Sequence, residues 1–203
     1  MSLDGVLFDS YPLLKQSYDT VLKQDQVEPN DYFYELYLDA GAQQMERSFY
    51  HFYQYESRHL KMRQAYLDRL NEATVHPVAL SILAKAKAKG YTLGFTSGLS
   101  RNEAQVLMAK LPDWLQTVPI VYYNEVIEGK PEKSPNIKLC RMMGVSEYHT
   151  ISIDASLNGV LAAYMANMRP IFVELFALRT LRAQKYSLRQ LETLEEVQSV
   201  LGL

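Results

Sequence analysis

The feature of this 203-residue sequence that most restricts its fold is the alternation of short apolar runs with helical segments after residue 77. The apolar runs are Thr92–Phe95, Val118–Tyr122, Thr150–Ile153 and Pro170–Val173. Helical periodicity separates these runs, at residues 78–88, 101–109, 133–143 and 157–166. Runs of this length are typical of buried strands. The alternation therefore predicts an α/β fold with a parallel sheet and crossover helices.

The first third of the chain has a different rhythm. Apolar residues recur there at three- and four-residue spacings, as in Leu14, Tyr18, Val21 and Leu22, and no strand pattern interrupts them before about residue 74. Further helices are predicted at residues 31–40, 42–57 and 59–73, which together make a small bundle. The chain thus divides into a discontinuous core, residues 1–12 and 77–203, and a helical domain, residues 13–76. Ser187–Leu201 is expected to close the core as an amphipathic helix.

Composition excludes several classes of function. The net charge of −2 gives no basic excess for nucleic-acid binding, and no apolar run approaches the roughly 18 residues of a membrane span. Cys140 is the single cysteine, so an internal disulfide and a cysteine-rich metal site are both excluded. The first residues lack the basic and apolar regions of a signal peptide. We therefore expect a cytoplasmic globular protein, without nucleic acid or membrane as a partner.

Polar residues with complementary chemistry occur at four places that are predicted to follow strands or open helices. These are Asp4 in the first segment, Thr96-Ser97-Gly98 after the first long apolar run, Lys130 before a helix, and Asp154 after the third run. In an open α/β sheet the carboxyl ends of the strands converge on the ligand site. Carboxylates bind Mg²⁺, hydroxyl and amide groups bind phosphoryl oxygens, and a lysine neutralises their charge. The pattern predicts a phosphate and Mg²⁺ site.

The same segments resemble the sequence motifs of the haloacid dehalogenase superfamily, in the subfamily with a helical cap that includes phosphoglycolate phosphatase and β-phosphoglucomutase. Asp4–Ser10 is similar to the family's DG(T/V)LxDS, Gly129-Lys130-Pro131 to its GKP, and Ser156–Ala163 to its SxNGxxAA. Met165–Ile171 resembles the AGM segment, with Asn167 where glycine is common. The resemblance spans essentially the whole chain. It implies a Rossmann-like three-layer core with a parallel sheet and an inserted helical-bundle cap.

The resemblance also implies roles for single residues. Asp4 matches the general acid/base and, with Asp154, is expected to bind Mg²⁺. Ser97 matches the hydroxyl that binds phosphate, with Thr96 as the competing choice if the strand is one residue shorter. Two further residues are expected at the phosphate: Gly98 and Lys130.

Two positions depart from the family pattern. The nucleophilic aspartate should stand two residues before Asp4, where this chain has Ser2, and the main Mg²⁺-binding aspartate falls on Ala155. Only Met1 precedes Ser2, so there is no room for the usual apolar strand. Three explanations stay open: a degenerate site that keeps the fold, a start of the sequence that is truncated or replaced, and a shifted register in which Asp9 is the nucleophile.

The function that the resemblance implies is Mg²⁺-dependent hydrolysis of a small phosphorylated metabolite, catalytically impaired because of Ser2 and Ala155. The alternative is a non-catalytic binding or interaction protein on the same fold. In the cap, the candidates for substrate contact are Arg47, His51, Arg58 and His59. Nine of the fifteen tyrosines lie between Tyr11 and Tyr66. Tyrosine is enriched at protein interfaces, so this segment is compatible with a homo-oligomer.

Overall fold

The computed structural model describes residues 1–29, 34, 55–175 and 181–203. Its strands are β1 (Phe8–Asp9), β2 (Thr74–Val75), β3 (Phe95–Ser97), β4 (Ile120–Tyr122), β5 (Ile151–Asp154), β6 (Arg169–Val173) and β7 (Arg189–Leu191). Its α-helices are α1 (Tyr11–Gln24), α2 (Tyr55–Asp68), α3 (Pro77–Ala88), α4 (Arg101–Met108), α5 (Asp113–Gln116), α6 (Ser134–Met143), α7 (Leu157–Met165), α8 (Leu181–Tyr186) and α9 (Leu194–Leu201). The expected α/β class with parallel strands is confirmed.

The N-terminal residues complete the central sheet. Strand β3 pairs with β4, and β5, β6 and β7 pair in that order, all in parallel. Residues 1–3 lie between these two groups. The Ser2 amide donates to the Ile153 carbonyl at 2.9 Å, and the Leu3 amide donates to the Thr96 carbonyl at 2.9 Å. The order across the sheet is therefore β4, β3, residues 1–3, β5, β6 and β7, so that Ser2 lies at its centre.

The shifted register for the first motif is wrong. It would make Val6-Leu7-Phe8 a strand of the main sheet and Asp9 its nucleophile. Instead, Phe8 and Asp9 form β1, which pairs antiparallel with Val75 and Thr74 of β2. This two-stranded ribbon leads the chain out of the sheet and back into it.

Helix ends follow local side-chain chemistry. Ser100 caps α4 by accepting a hydrogen bond from the Glu103 amide, and Glu103 accepts one from the Ser100 amide in return, which forms a capping box. Ser97 does not cap this helix, because it is the last residue of β3 and its hydroxyl donates to Asp4.

Two element boundaries differ from those expected. The run Thr92–Phe95 was predicted as a strand, but β3 begins at Phe95. The predicted closing helix over 187–201 is divided, because Arg189–Leu191 adds β7 to the sheet and the helix starts at Leu194 behind a Thr193 capping box. The hydrophobic pattern alone does not separate a short strand from the turn of a helix.

Helices α1 and α2 pack against each other and form a separate small apolar cluster. Its buried members are Tyr18, Val21, Leu22, Tyr34 and Met62. The larger core is centred on the sheet, around residues such as Leu3, Phe8, Phe95 and Ile171. The limits 13–76 for a cap domain stay a prediction, since much of that range is outside the described residues. None of the described helices is both long and apolar enough to cross a membrane.

Candidate functional site

Polar side chains gather at the carboxyl ends of the central strands. Asp4 follows residues 1–3, Ser97 ends β3 and Asp154 ends β5. Lys130 joins them from the loop before α6 and contacts both Ser2 and Asp154. The structure therefore brings together the residues that the sequence motifs had placed after strands and before a helix.

The Asp4 carboxylate is anchored to the end of β3. Its Oδ1 accepts a hydrogen bond from the Ser97 hydroxyl at 2.8 Å, and its Oδ2 accepts one from the Gly98 amide at 2.6 Å. Thr96, the competing choice for the phosphate hydroxyl, instead lines a separate cavity of about 460 Å³. Ser97 is thus the hydroxyl at the site, while its phosphate-binding role stays a prediction.

The environment of Asp4 favours its neutral form. Burial raises the pKa of the Asp4 carboxyl above its ordinary value of 3.8, although the hydrogen bonds from Gly98 and Ser97 and the charge of Lys130 act in the opposite direction. A carboxyl group with a raised pKa can donate a proton to a leaving oxygen. The geometry therefore suits the acid role that the motif suggests for Asp4.

A buried ion pair connects the loop before α6 to the sheet. Lys130 Nζ lies 2.6 Å from Asp154 Oδ2, and the two side chains are 18% and 3% exposed. Lys130 Nζ also donates to Ser2 Oγ at 3.3 Å. Ser2 is itself buried, and its hydroxyl faces an ammonium group, which cannot accept a proton. This contact does not activate Ser2 as a nucleophile.

The first turn of α7 fixes the second oxygen of Asp154. Oδ1 accepts hydrogen bonds from the Ser156 amide at 3.0 Å and from the Ser156 hydroxyl at 2.8 Å, and Ser156 Oγ accepts one from the Gly159 amide. A Cβ atom on Gly159 would lie 1.9 Å from Asp154 Cγ. Glycine at 159 is therefore necessary for the carboxylate to lie on the start of this helix.

Tyr11 is a site residue that the leading interpretation of the sequence did not include. Its ring packs against Gly5, whose φ of +75° and close contact with the ring both exclude a side chain there. The Tyr11 hydroxyl is hydrogen-bonded to the Ser156 side chain. Burial, together with the nearby charges of Asp154 and Asp4, raises the Tyr11 pKa well above its ordinary value, so the phenol stays a proton donor. No spacing rule pointed to this contact, which depends on the turn at Gly5.

The described residues do not fit the Mg²⁺ ion that the motifs imply. Asp154 uses both carboxylate oxygens, on Lys130 and on Ser156, and Asp4 uses both on Ser97 and Gly98. Ala155 is buried and has no ligand atom in its side chain. Within the described ranges, no cluster of three or more acidic, histidine or cysteine side chains is placed to bind a metal. Mg²⁺ binding by Asp4 and Asp154 therefore stays a prediction.

Most of the expected substrate contacts of the cap lie outside the described residues. Arg47 and His51 lie outside the described residues, and so does the side chain of His59. Arg58 is described, and its Nε donates to Asp25 Oδ2 at 2.8 Å, an ion pair between α2 and the end of α1. Helix α2 reaches the core through Arg63, which donates to both carboxylate oxygens of Glu103 at 2.8 Å.

Solved structures share this fold. A hydrolase from Pseudomonas syringae has a TM-score of 0.80 at 16% identity, with 99% of this chain and 95% of that chain covered. CbbY from Rhodobacter sphaeroides, in complex with phosphate, has a TM-score of 0.76 at 19% identity, with 98% and 96% covered. A HAD family hydrolase from Deinococcus radiodurans, with bound phosphate and sodium, has a TM-score of 0.74 at 13% identity, with 94% and 88% covered.

A search of curated protein sequences finds no match to this chain. The family model for haloacid dehalogenase-like hydrolases, in contrast, matches residues 1–173, which include every motif described above. With the converging strand ends and the shared fold, this match identifies the chain as a member of the haloacid dehalogenase-like hydrolase family.

Proposed function

We propose that this chain binds the phosphoryl group of a small phosphorylated metabolite at the carboxyl ends of its central strands, and that it hydrolyses the ester poorly. The observation that carries the proposal is the position of Lys130, whose ammonium lies 2.6 Å from Asp154 and 3.3 Å from Ser2 at the centre of the sheet. Lysine and hydroxyl groups that donate hydrogen bonds, beside a partly exposed carboxyl group, can bind a phosphate monoester. The phosphate bound to the Rhodobacter and Deinococcus proteins supports the same ligand class.

The family mechanism requires a carboxylate that attacks phosphorus and forms an acyl phosphate, which water then opens. Ser2 occupies that position here, and Lys130 donates to its hydroxyl rather than removing its proton. Asp4 stays available to protonate a leaving oxygen. Loss of one covalent or metal-binding group commonly lowers turnover by on the order of 10³–10⁶. We therefore expect this chain to bind phosphate but to turn over a phosphate ester much more slowly than an intact site would.

Ala155 favours a second candidate, a non-catalytic binding protein on the same fold. Its side chain is 1% exposed and faces the core, where it cannot supply a ligand to a cation or to a substrate. A site of this kind would still recognise a phosphorylated metabolite. The two candidates differ in turnover, and an activity measurement therefore separates them.

The binding test is thermal unfolding with inorganic phosphate. At ten times the dissociation constant, a ligand specific for the folded state stabilises it by about 1.4 kcal/mol, which corresponds to about 3–6 °C for a chain of this size. Lys130→Ala should abolish this shift. The matched control is Lys138→Ala, since Lys138 also pairs with a carboxylate, that of Glu125, but lies outside the site. An equal phosphate shift in the wild type and Lys130→Ala would refute the proposal.

The turnover test uses an aryl phosphate and acetyl phosphate, with Asp4→Asn prepared identically as the control. Equal rates in the two proteins are expected of the non-catalytic candidate, and a low rate that Asp4→Asn abolishes is expected of the impaired enzyme. A rate typical of phosphatases in the wild type, lost in Asp4→Asn, would refute the proposed impairment and would make Ser2 a functional nucleophile.

A further inference from the structure

A continuous hydrogen-bond network surrounds Asp154 in the candidate site. The Tyr11 hydroxyl bonds to the Ser156 side chain, the Ser156 hydroxyl donates to Asp154 Oδ1 at 2.8 Å, and Asp154 Oδ2 accepts from Lys130 at 2.6 Å. The Ser156 side chain thus contacts both Tyr11 and Asp154. The last hydrogen bond of this network is the one that Lys130 donates to the Ser2 hydroxyl oxygen.

This hydrogen-bond network leaves few oxygen atoms for a divalent cation to bind. Mg²⁺ requires near-octahedral oxygen ligands and is usually bound by one or two carboxylates together with substrate phosphate. Both oxygens of Asp154 already accept hydrogen bonds, and the side chain of the adjacent residue, Ala155, offers no donor atom. A cation at this position would have to break a short ion pair whose acidic partner is 3% exposed.

We propose that this site binds its phosphoryl ligand without a divalent cation, with the positive charge supplied by Lys130 and with Asp154 fixed by the Tyr11–Ser156 contact. The inference deepens the proposed function and rests on it. Lys130 has three donor hydrogens, two of which are directed to Asp154 and Ser2, so it can also donate to a phosphoryl oxygen. Tyr11 acts through Ser156 and Asp154, and it is therefore a positioning residue.

The first experiment measures the dissociation constant of inorganic phosphate by calorimetry, once in EDTA and once in excess Mg²⁺. Values within about twofold of each other are expected. Binding that requires Mg²⁺ would overturn the inference and leave the proposed phosphate-binding function intact. Failure to bind in either buffer would overturn both the proposed function and this account of its ligand.

A second experiment examines the cation alone, with Mn²⁺ as a paramagnetic probe of the Mg²⁺ position. The wild type is expected to bind no stoichiometric Mn²⁺, whereas Ser2→Asp/Ala155→Asp should gain a site at least tenfold tighter than any in the wild type. Ser2→Asn/Ala155→Asn is the control for side-chain size without the added charge. Stoichiometric Mn²⁺ in the wild type that is lost in Asp154→Asn would overturn the inference, even if the doubly substituted variants fail to fold.

The role of Tyr11 has its own test. Tyr11→Phe keeps the ring against Gly5 but removes the hydroxyl that bonds to Ser156. The phosphate dissociation constant in EDTA is expected to rise about fivefold, equivalent to about 1 kcal/mol, while its independence of Mg²⁺ is retained. An unchanged dissociation constant would show that the Tyr11 hydroxyl does not position Asp154.

Discussion

The Lys130–Asp154 ion pair should contribute to folding as well as to binding, and its removal from one side should be costly. Lys130→Met keeps the length of the side chain but leaves the Asp154 carboxylate, which is 3% exposed, without its cation. Removing one partner of a buried pair typically costs about 3–5 kcal/mol. Asp154 keeps two hydrogen bonds from Ser156, so we expect a value near the lower end, about 3 kcal/mol.

Thermal unfolding and urea unfolding both measure this loss. For a chain of this length, about 3 kcal/mol corresponds to a decrease in Tm of about 6–12 °C. Lys138→Met is the matched control, because its lysine is 39% exposed and lies 3.5 Å from Glu125. Such an exposed pair contributes at most about 1 kcal/mol.

The double variant Lys130→Met/Asp154→Asn isolates the coupling between the two residues. With both charges removed, no buried carboxylate is left unpaired, so the double variant should be more stable than the sum of the two single losses predicts. Two results would refute this reasoning: equal losses for Lys130→Met and Lys138→Met, or single losses that add in the double variant.

Three further variants test other contacts of the site. Ser97→Ala removes one donor to Asp4, and it should cost about 1–3 kcal/mol in urea unfolding; no loss would mean that the hydroxyl does not satisfy the carboxylate. Burial raises the pKa of Asp4 in the folded chain. Between pH 3.8 and that raised pKa, the folded chain therefore binds more protons than the unfolded chain, and its stability falls as the pH rises. Asp4→Asn should accordingly increase Tm at neutral pH, with a gain that disappears below pH 3.8; a gain that is independent of pH would contradict the shift. Gly159→Ala should destabilise the chain and weaken phosphate binding, although the same change in an ordinary helix stabilises by about 0.5–1 kcal/mol, because its Cβ would displace Asp154; unchanged binding would show that Asp154 need not lie where it does.

The sequence was sufficient to predict the parallel α/β core, because buried strands and crossover helices leave an alternating pattern that does not depend on distant contacts. The sequence was a weaker guide where one apolar pattern is compatible with both a strand and a helix. Arg189–Leu191 belongs to an apolar series that also suits a helix, and its pairing with β6 decides in favour of a strand. The first strand of the sheet was likewise missed, since three residues are too few for any periodicity, and hydrogen bonds to Thr96 and Ile153 define it.

The site shows the same division between local and distant information. Asp4 and Asp154 stand in recognisable motifs at strand ends, and Lys130 stands in one before a helix, so their convergence followed from the rule for parallel sheets. The hydrogen-bond partners of those residues could not be predicted in this way. Tyr11 reaches Ser156 because the chain turns back at Gly5, and no sequence spacing encodes a contact across 145 positions.

The charges within the site bear on the two family positions, 2 and 155, at which this chain lacks a carboxylate. Asp154 pairs with the ammonium of Lys130, and burial raises the pKa of Asp4, so this carboxyl keeps its proton to a higher pH than an ordinary aspartate does. Aspartates at positions 2 and 155 would add two negative charges in a buried region, where like charges repel strongly without a cation between them. Serine and alanine avoid that repulsion. The raised pKa of Asp4 acts in the same direction, because a protonated carboxyl adds no negative charge beside Lys130.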